Sequence, residues 1–86
     1  MASATVGDVK RTVAHQILLG FRESLTIASQ IGQPVEVVNV ALERLQADCD
    51  GCIILTRPYT GEPRVVITVV RWDTLKDAAG FTGRLH

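Results

Sequence analysis

The sequence predicts one small α+β domain in which three helices precede a β-hairpin and a short final helix. The chain has 86 residues, of which 47% are hydrophobic and 21% charged, a balance typical of a globular domain. Apolar residues recur at helical spacing up to about residue 48, and strand-forming residues follow in two runs. This change of period separates a helical first half from the hairpin.

The first two helices are predicted from their apolar spacing and their end signals. The first helix is expected to begin at Val9, with Asp8 as its N-cap. Its apolar stripe comprises Val9, Val13, Ile17, Leu18 and Phe21. A shorter second helix is predicted for residues 26–31, with Ser24 as its N-cap and Gly32 as a left-handed terminator.

A third helix is predicted over residues 34–48. Pro34 suits the first turn of a helix, and Glu36 is favourable near the positive end of the helix dipole. The buried side of this helix is expected to contain Val38, Ala41, Leu42 and Leu45. The second and third helices are therefore joined by a tight turn around Gly32.

A hairpin is predicted from strands at residues 52–57 and 64–72, with a loop between two prolines. The second strand is apolar on both faces, with Val65, Ile67 and Val69 on one and Val66, Val70 and Trp72 on the other. One face packs on the helices, and the other must be covered by the last helix, residues 73–79, or by a second subunit. We therefore expect a homodimer.

The turn between the second and third helices carries a recognisable set of residues. Ala28 is small where the third helix crosses the second, and Gly32 follows where the turn needs a positive φ. The apolar packing positions around the turn are Ile27, Ile31, Val38 and Ala41. With the hairpin that follows, residues 9–72 resemble the winged helix-turn-helix family. Gln33 departs from the family pattern, in which an apolar residue commonly follows the glycine.

This resemblance implies a DNA-binding transcriptional regulator, in which helix 34–48 enters the major groove and the wing, residues 52–72, touches the backbone or the minor groove. The helix would present Gln33, Glu36, Val37, Asn39, Val40, Glu43 and Arg44. The wing would add Arg57, Tyr59, Thr60 and Arg64, and the first helix would add Lys10 and Arg11. The partner would be double-stranded DNA. Asn39 could bond an adenine edge, and Arg57 and Arg64 could contact phosphates.

The distribution of charge favours a different partner. The chain has nine basic and nine acidic residues, and residues 36–50 hold four acids and one base. DNA affinity depends largely on phosphate neutralisation, which a negative helix opposes. Val37 and Val40 lie opposite the buried side and should be exposed, as in a protein contact. The alternative function is therefore a winged-helix module that binds a protein partner and does not bind DNA.

The two cysteines form one C-x-x-C motif, Cys49 to Cys52, between the third helix and the first strand. One such pair is half of a zinc site, and the two histidines, His15 and His86, are distant in sequence. A thioredoxin-like motif would come in the reverse order, between a strand and a helix. We expect two thiols in a connecting loop, with a redox switch or a metal shared between subunits as the alternatives.

Other function classes are disfavoured. No run of the sequence approaches the roughly 18 apolar residues of a membrane helix, and the N-terminus does not resemble a secretory signal. We therefore expect a cytoplasmic protein without membrane contact. We also expect no enzyme and no cofactor, because a glycine-rich phosphate loop and a serine–histidine–acid group are missing. Residues 1–7 and 81–86 are expected to form an arm and a tail of one domain.

Overall fold

The helices and the hairpin follow the predicted order along the chain. The computed structural model describes residues 6–80, and its elements are α1 (Val6–Leu18), α2 (Ser24–Ile31), α3 (Val35–Asp48), β1 (Ile53–Thr56), β2 (Val66–Val69) and α4 (Trp72–Ala78). The α+β architecture of helices and an antiparallel hairpin is therefore confirmed. The predicted arm is wrong for residues 6 and 7, which belong to α1. Residues 1–5 and the predicted tail lie outside the described residues.

The predicted N-caps of the first two helices are wrong. Asp8 lies in the first turn of α1, and Glu23 takes the N-cap position of α2. Ser24 is instead the first residue of α2 and is fully buried. Its hydroxyl accepts a hydrogen bond from the Val65 backbone N–H at 2.9 Å and lies 3.4 Å from the Pro63 carbonyl oxygen, to which it donates. Ser24 therefore anchors the hairpin and does not cap its own helix.

The core lies between α1 and α3, and α4 also packs on α1 and adds Leu75 to the same buried cluster. The predicted buried residues of α3, which are Val38, Ala41, Leu42 and Leu45, all have an exposed fraction of 0%. Val13 and Ile17 of α1 are equally buried, and Leu75 is the fully buried residue of α4. Burial of these aliphatic side chains is the main force that positions α3 on α1.

The hairpin strands are shorter than predicted, so the loop between them spans residues 57–65. In the antiparallel register Ile53 faces Val69 and Thr56 faces Val66. The ladder ends there because the backbone of Val65 bonds Ser24 instead of β1. The Ser24 N–H donates to the Val65 carbonyl at 2.9 Å, and the Val65 N–H donates to the Ser24 hydroxyl. Val66 also forms a bridge with Glu23, so the start of β2 pairs with the short segment between α1 and α2.

The outer side of the hairpin remains partly open in the single chain. α4 packs mainly against α1, and the exposed fractions of Ile54, Val70 and Trp72 are 50%, 51% and 44%. The Arg22 guanidinium lies 5.4 Å from the Trp72 ring centroid. The covering second subunit therefore stays a prediction. Within residues 6–80 the helices are too short or too polar to cross a membrane.

Candidate nucleic-acid interface

The turn that orients α3 depends on the left-handed conformation of Gly32. Its φ and ψ are 69° and 32°, and its N–H donates to the Ala28 carbonyl. A Cβ at this position would meet no atom within 4 Å, so the positive φ and not crowding favours glycine. Ala28 and Ile27 of α2 and Val38 of α3 are all buried where the two helices pack together. The predicted packing of this turn is confirmed.

The hairpin loop, residues 57–65, is attached to the solvent side of α3 by two contacts. The Asn39 side-chain N–H donates to the Pro63 carbonyl at 2.8 Å. One helical turn further, the Arg57 guanidinium donates to the Glu43 carboxylate at 2.9 Å. The two contacts make the solvent side of α3 and the loop one continuous surface, which we call the outer face.

Asn39 has a structural role that the sequence did not predict. The side chain is half-buried, and its Oδ1 atom is buried without a hydrogen-bond partner among the described residues. Its amide nitrogen is engaged by the loop rather than presented to solvent. Asn39 therefore positions the loop, and the predicted adenine contact would require it to release Pro63.

The three arginines of the outer face differ in how far they are neutralised. Arg57 pairs with Glu43. The Arg64 Nε atom lies 3.8 Å from a Glu23 carboxylate oxygen and 3.7 Å from a Glu62 oxygen. Its guanidinium also lies 5.2 Å from the Tyr59 ring centroid. Arg44 is exposed and has no hydrogen bond or ion pair with any of residues 6–80, so it is the least neutralised cation of the three.

The outer face as a whole carries no excess of positive charge. Its charged residues, counted together with the adjacent Glu23 that pairs with Arg64, are Glu23, Glu36, Glu43, Glu62, Arg44, Arg57 and Arg64, a formal net charge of −1. The exposed apolar residue among them is Val40, with an exposed fraction of 44%. Val37 was expected to be exposed as well, but it is half-buried and packs against the edge of the core. The prediction of two exposed valines is therefore wrong for Val37.

Three residues that were predicted to contact DNA interact with parts of the molecule outside the outer face. Lys10 forms an ion pair with Asp48 at the last residue of α3. The aliphatic part of Arg11 lies beside Gly80 after α4. Gln33 is half-buried in a shallow cleft of about 90 Å³ against the start of α1. None of these three contacts links its side chain to the hairpin loop.

The tip of the loop is open to solvent. Tyr59 has an exposed fraction of 51%, and Thr60 is also exposed. Both were predicted to lie at the tip. Sequence reasoning missed Glu23 and Ser24 as the partners of the loop, because the contact joins residues about 40 positions apart and leaves no local signal.

The cysteines do not form a thiol-bearing loop as expected. Cys49 and Cys52 are joined by a disulfide, with their Cα atoms 5.4 Å apart. Both are part of the core, with exposed fractions of 2% and 0%. Among residues 6–80, no cluster of three or more histidine, cysteine, aspartate or glutamate side chains is arranged to hold a metal ion.

Comparisons with protein-family models, with curated proteins and with solved structures found no match for this chain. Its function is therefore inferred from its own residues and their arrangement.

Proposed function

We propose that this chain is a winged helix-turn-helix module that regulates transcription by binding DNA through its outer face. In this proposal α3 enters the major groove and the hairpin loop is the wing on the flanking backbone. The observation that carries the proposal is the attachment of the loop to α3 by the Asn39–Pro63 and Glu43–Arg57 contacts. A fixed angle between a groove-reading helix and a backbone-contacting loop is what such a module requires.

Arg44 is the first candidate for a direct contact. It is exposed, lies on α3 and has no ion-pair partner within residues 6–80. Its guanidinium can therefore donate to a phosphate or to a guanine edge without first leaving a carboxylate. Val40 lies one helical turn earlier and offers an apolar contact for a thymine methyl. Asn39 contributes by holding the loop in place.

Arg57 and Arg64 supply the phosphate contacts when each exchanges its carboxylate partner for a DNA phosphate. Their present carboxylate partners are themselves substantially exposed, with side-chain exposed fractions of 60% for Glu43 and 44% for Glu23. Exposed ion pairs of this kind contribute about 0–1 kcal/mol, so a phosphate can replace the carboxylate at small cost. Tyr59 and Thr60 add hydrogen-bond donors at the loop tip.

The proposal predicts weak binding by one chain and stronger binding by a homodimer on a two-fold site. Each phosphate that is neutralised adds about 0.9 to the slope of log affinity against log salt concentration. With three outer-face arginines, one chain has a modest slope, and two chains bound together double it.

Fluorescence anisotropy with random-sequence duplexes at low salt tests the proposal. Arg57→Ala combined with Arg64→Ala is expected to weaken binding to all duplexes and to lower the salt slope by about 2. Lys76→Ala is the control for the loss of a cation elsewhere, because it removes one exposed positive charge from α4, half the charge change of the double variant. The proposal is wrong if the unmodified chain binds no duplex at low salt, or if Lys76→Ala has the effect of the double variant.

A protein-binding module is the second candidate, and the net charge of the outer face favours it. Four acids surround three arginines there, and Val40 is exposed among them. Val40→Asp would then abolish a complex with a purified partner and leave the unfolding midpoint unchanged. Thr68→Asp is the control, because Thr68 is exposed on β2 away from this face. Retention of the complex by Val40→Asp would remove the basis for this candidate.

A further inference from the structure

The turn between α3 and β1 connects several parts of the molecule. Gly51 donates its N–H to the Gln46 carbonyl at 2.9 Å, which closes the end of α3. The Cys52 carbonyl accepts the N–H groups of Val70 at 2.8 Å and Arg71 at 3.1 Å. The Arg71 guanidinium in turn donates to the Asp50 carbonyl. The turn therefore fixes the end of α3 relative to both strands and to the start of α4.

The backbone of this turn is held in an uncommon conformation. Asp50 and Gly51 have φ values of 55° and 78°, and Asp50 is the residue other than glycine with a positive φ among those described. Glycine adopts the left-handed region freely, whereas aspartate adopts it only occasionally and as a single residue. Here the Cys49–Cys52 bond closes a ring around the two residues.

The two sulfur atoms occupy a packed site. Cys49 and Cys52 belong to the same buried cluster as Leu45 and Ile53. Two thiol sulfurs cannot approach as closely as two bonded sulfurs, so reduction adds volume to a site that has none to spare. To accommodate the thiols, the turn must change its conformation or a cysteine side chain must change its rotamer.

We infer that Cys49 and Cys52 form a redox-sensitive clamp that sets the position of the hairpin on α3. The disulfide fixes the turn through which the Cys52 carbonyl holds Val70 and Arg71, so it sets the position at which the hairpin leaves α3. The dithiol loosens this turn and the two hydrogen bonds that the Cys52 carbonyl accepts. The consequence for DNA binding rests on the proposed function, but the clamp itself does not.

The reaction is thiol–disulfide exchange with a low-molecular-weight disulfide such as glutathione disulfide. A protein thiolate attacks that disulfide, which forms a mixed disulfide and releases one glutathione thiolate. The second protein thiolate then attacks the mixed disulfide, closes the Cys49–Cys52 bond and releases the second glutathione. Two electrons pass from the protein sulfurs to glutathione disulfide, and the two thiol protons end on the released glutathione molecules.

The burial of both sulfurs makes this exchange depend on local opening. Neither sulfur is accessible in the closed turn, whereas Asp50 and Gly51 between them are exposed. Opening breaks the Gly51–Gln46 and Arg71–Asp50 hydrogen bonds. The clamp therefore responds to a sustained change in redox conditions more slowly than an exposed pair would.

Hydrogen exchange of the oxidised and reduced chain tests the clamp. The chain is equilibrated in glutathione buffers of different ratio, and its state is read by the mass gain of two hydrogens on reduction. We expect reduction to accelerate amide exchange at Gly51, Val70 and Arg71, and to leave the amides of Val13 and Ile17 in α1 protected. Equal exchange at the turn in both states would overturn the inference.

The double variant Cys49→Ala with Cys52→Ala is the control, because it cannot form the bond. Its unfolding midpoint should be independent of dithiothreitol, whereas the folding equilibrium of the unmodified chain should weaken on the order of tenfold on reduction, as expected for opening a short covalent loop. A response of the double variant equal to that of the unmodified chain would also overturn the clamp. If the variant fails to fold, the exchange comparison on the unmodified chain decides.

The DNA experiment separates this inference from the proposed function. With the clamp and the DNA function both correct, the oxidised chain binds duplexes more tightly than the reduced chain. If neither state binds DNA but exchange at the turn changes on reduction, the proposed function fails and the clamp stands. If both states bind equally while the turn loosens, the clamp does not regulate this face, and that part of the inference is overturned.

Discussion

The two sides of α3 are held by different kinds of contact. Towards α1 the helix presents aliphatic side chains such as Leu42 and Leu45, each with an exposed fraction of 0%. Towards the hairpin loop it presents Asn39 and Glu43, which make one hydrogen bond and one exposed ion pair. Buried aliphatic contacts are worth several times as much as exposed polar ones. The fold is therefore held firmly, whereas the outer face can be altered without unfolding the chain.

The largest expected effect follows from shortening a buried side chain. Leu42→Ala should lower the free energy of unfolding by about 2–5 kcal/mol, because it removes buried methyl groups and leaves a cavity. Urea denaturation followed by circular dichroism measures the change. Val40→Ala, on the exposed side of the same helix, should change it by less than about 0.5 kcal/mol. Similar losses for both variants would mean that the two sides of α3 do not differ.

The inner side of α3 is also the part that the sequence predicts well. Its buried residues follow from helical spacing alone, because burial repeats with the period of the helix; they are Val38, Ala41, Leu42 and Leu45. The left-handed Gly32 follows equally, because the residue at the end of a helix commonly adopts that conformation. Such features depend on neighbours within a few residues along the chain.

The outer face depends on contacts that local patterns cannot show. Ser24 has the residue type and position of an N-cap, yet its hydroxyl bonds Val65 in the hairpin loop. Arg57 looks like a free cation of the loop, yet it pairs with Glu43. Residue type shows which side chains can form hydrogen bonds or ion pairs, but the partner that each one takes is decided by the packing of distant segments.

Ser24 gives the second largest expected effect, because it is the one buried polar anchor between the loop and the helices among residues 6–80. Ser24→Ala leaves the Val65 N–H without its acceptor, at a cost of about 1–3 kcal/mol in the free energy of unfolding. Faster exchange of the Val65 amide should accompany the loss. Ser29→Ala, on the exposed side of the same helix, is the matched control. A comparable loss in Ser29→Ala would contradict the role of the Ser24 hydroxyl.

Asn39 should have a smaller effect, confined to the loop. Asn39→Ala removes the hydrogen bond to Pro63, which is worth about 0.5–1.5 kcal/mol. Amide exchange should accelerate at Glu62, whose N–H donates to the Tyr59 carbonyl, whereas α1 should be unaffected. Glu36→Ala, an exposed change on the same helix, should leave the loop unchanged. If Asn39→Ala also leaves it unchanged, the loop is held by other contacts.

Glu43 should have the smallest effect on stability and an informative effect on binding. Glu43→Gln removes the charge that neutralises Arg57, in a pair with side-chain exposed fractions of 60% and 52%. The free energy of unfolding should fall by no more than about 0.5 kcal/mol, because exposed ion pairs contribute little. Under the proposed function, affinity for every duplex should rise about twofold to fivefold at low salt, because one repulsive charge is lost and Arg57 is released to phosphate.

The control for Glu43 must change net charge by the same amount at another place. Asp77→Asn does this on the exposed side of α4, away from the loop contacts of α3. Anisotropy titrations of both variants at low and moderate salt then separate a local effect from a change in overall charge. Equal gains would show that only net charge matters, and a weaker affinity of Glu43→Gln would mean that the Glu43–Arg57 pair is needed to present the loop. If affinity for DNA rises only in Glu43→Gln, Arg57 contacts the DNA backbone and the Glu43 carboxylate weakens binding by competing for it.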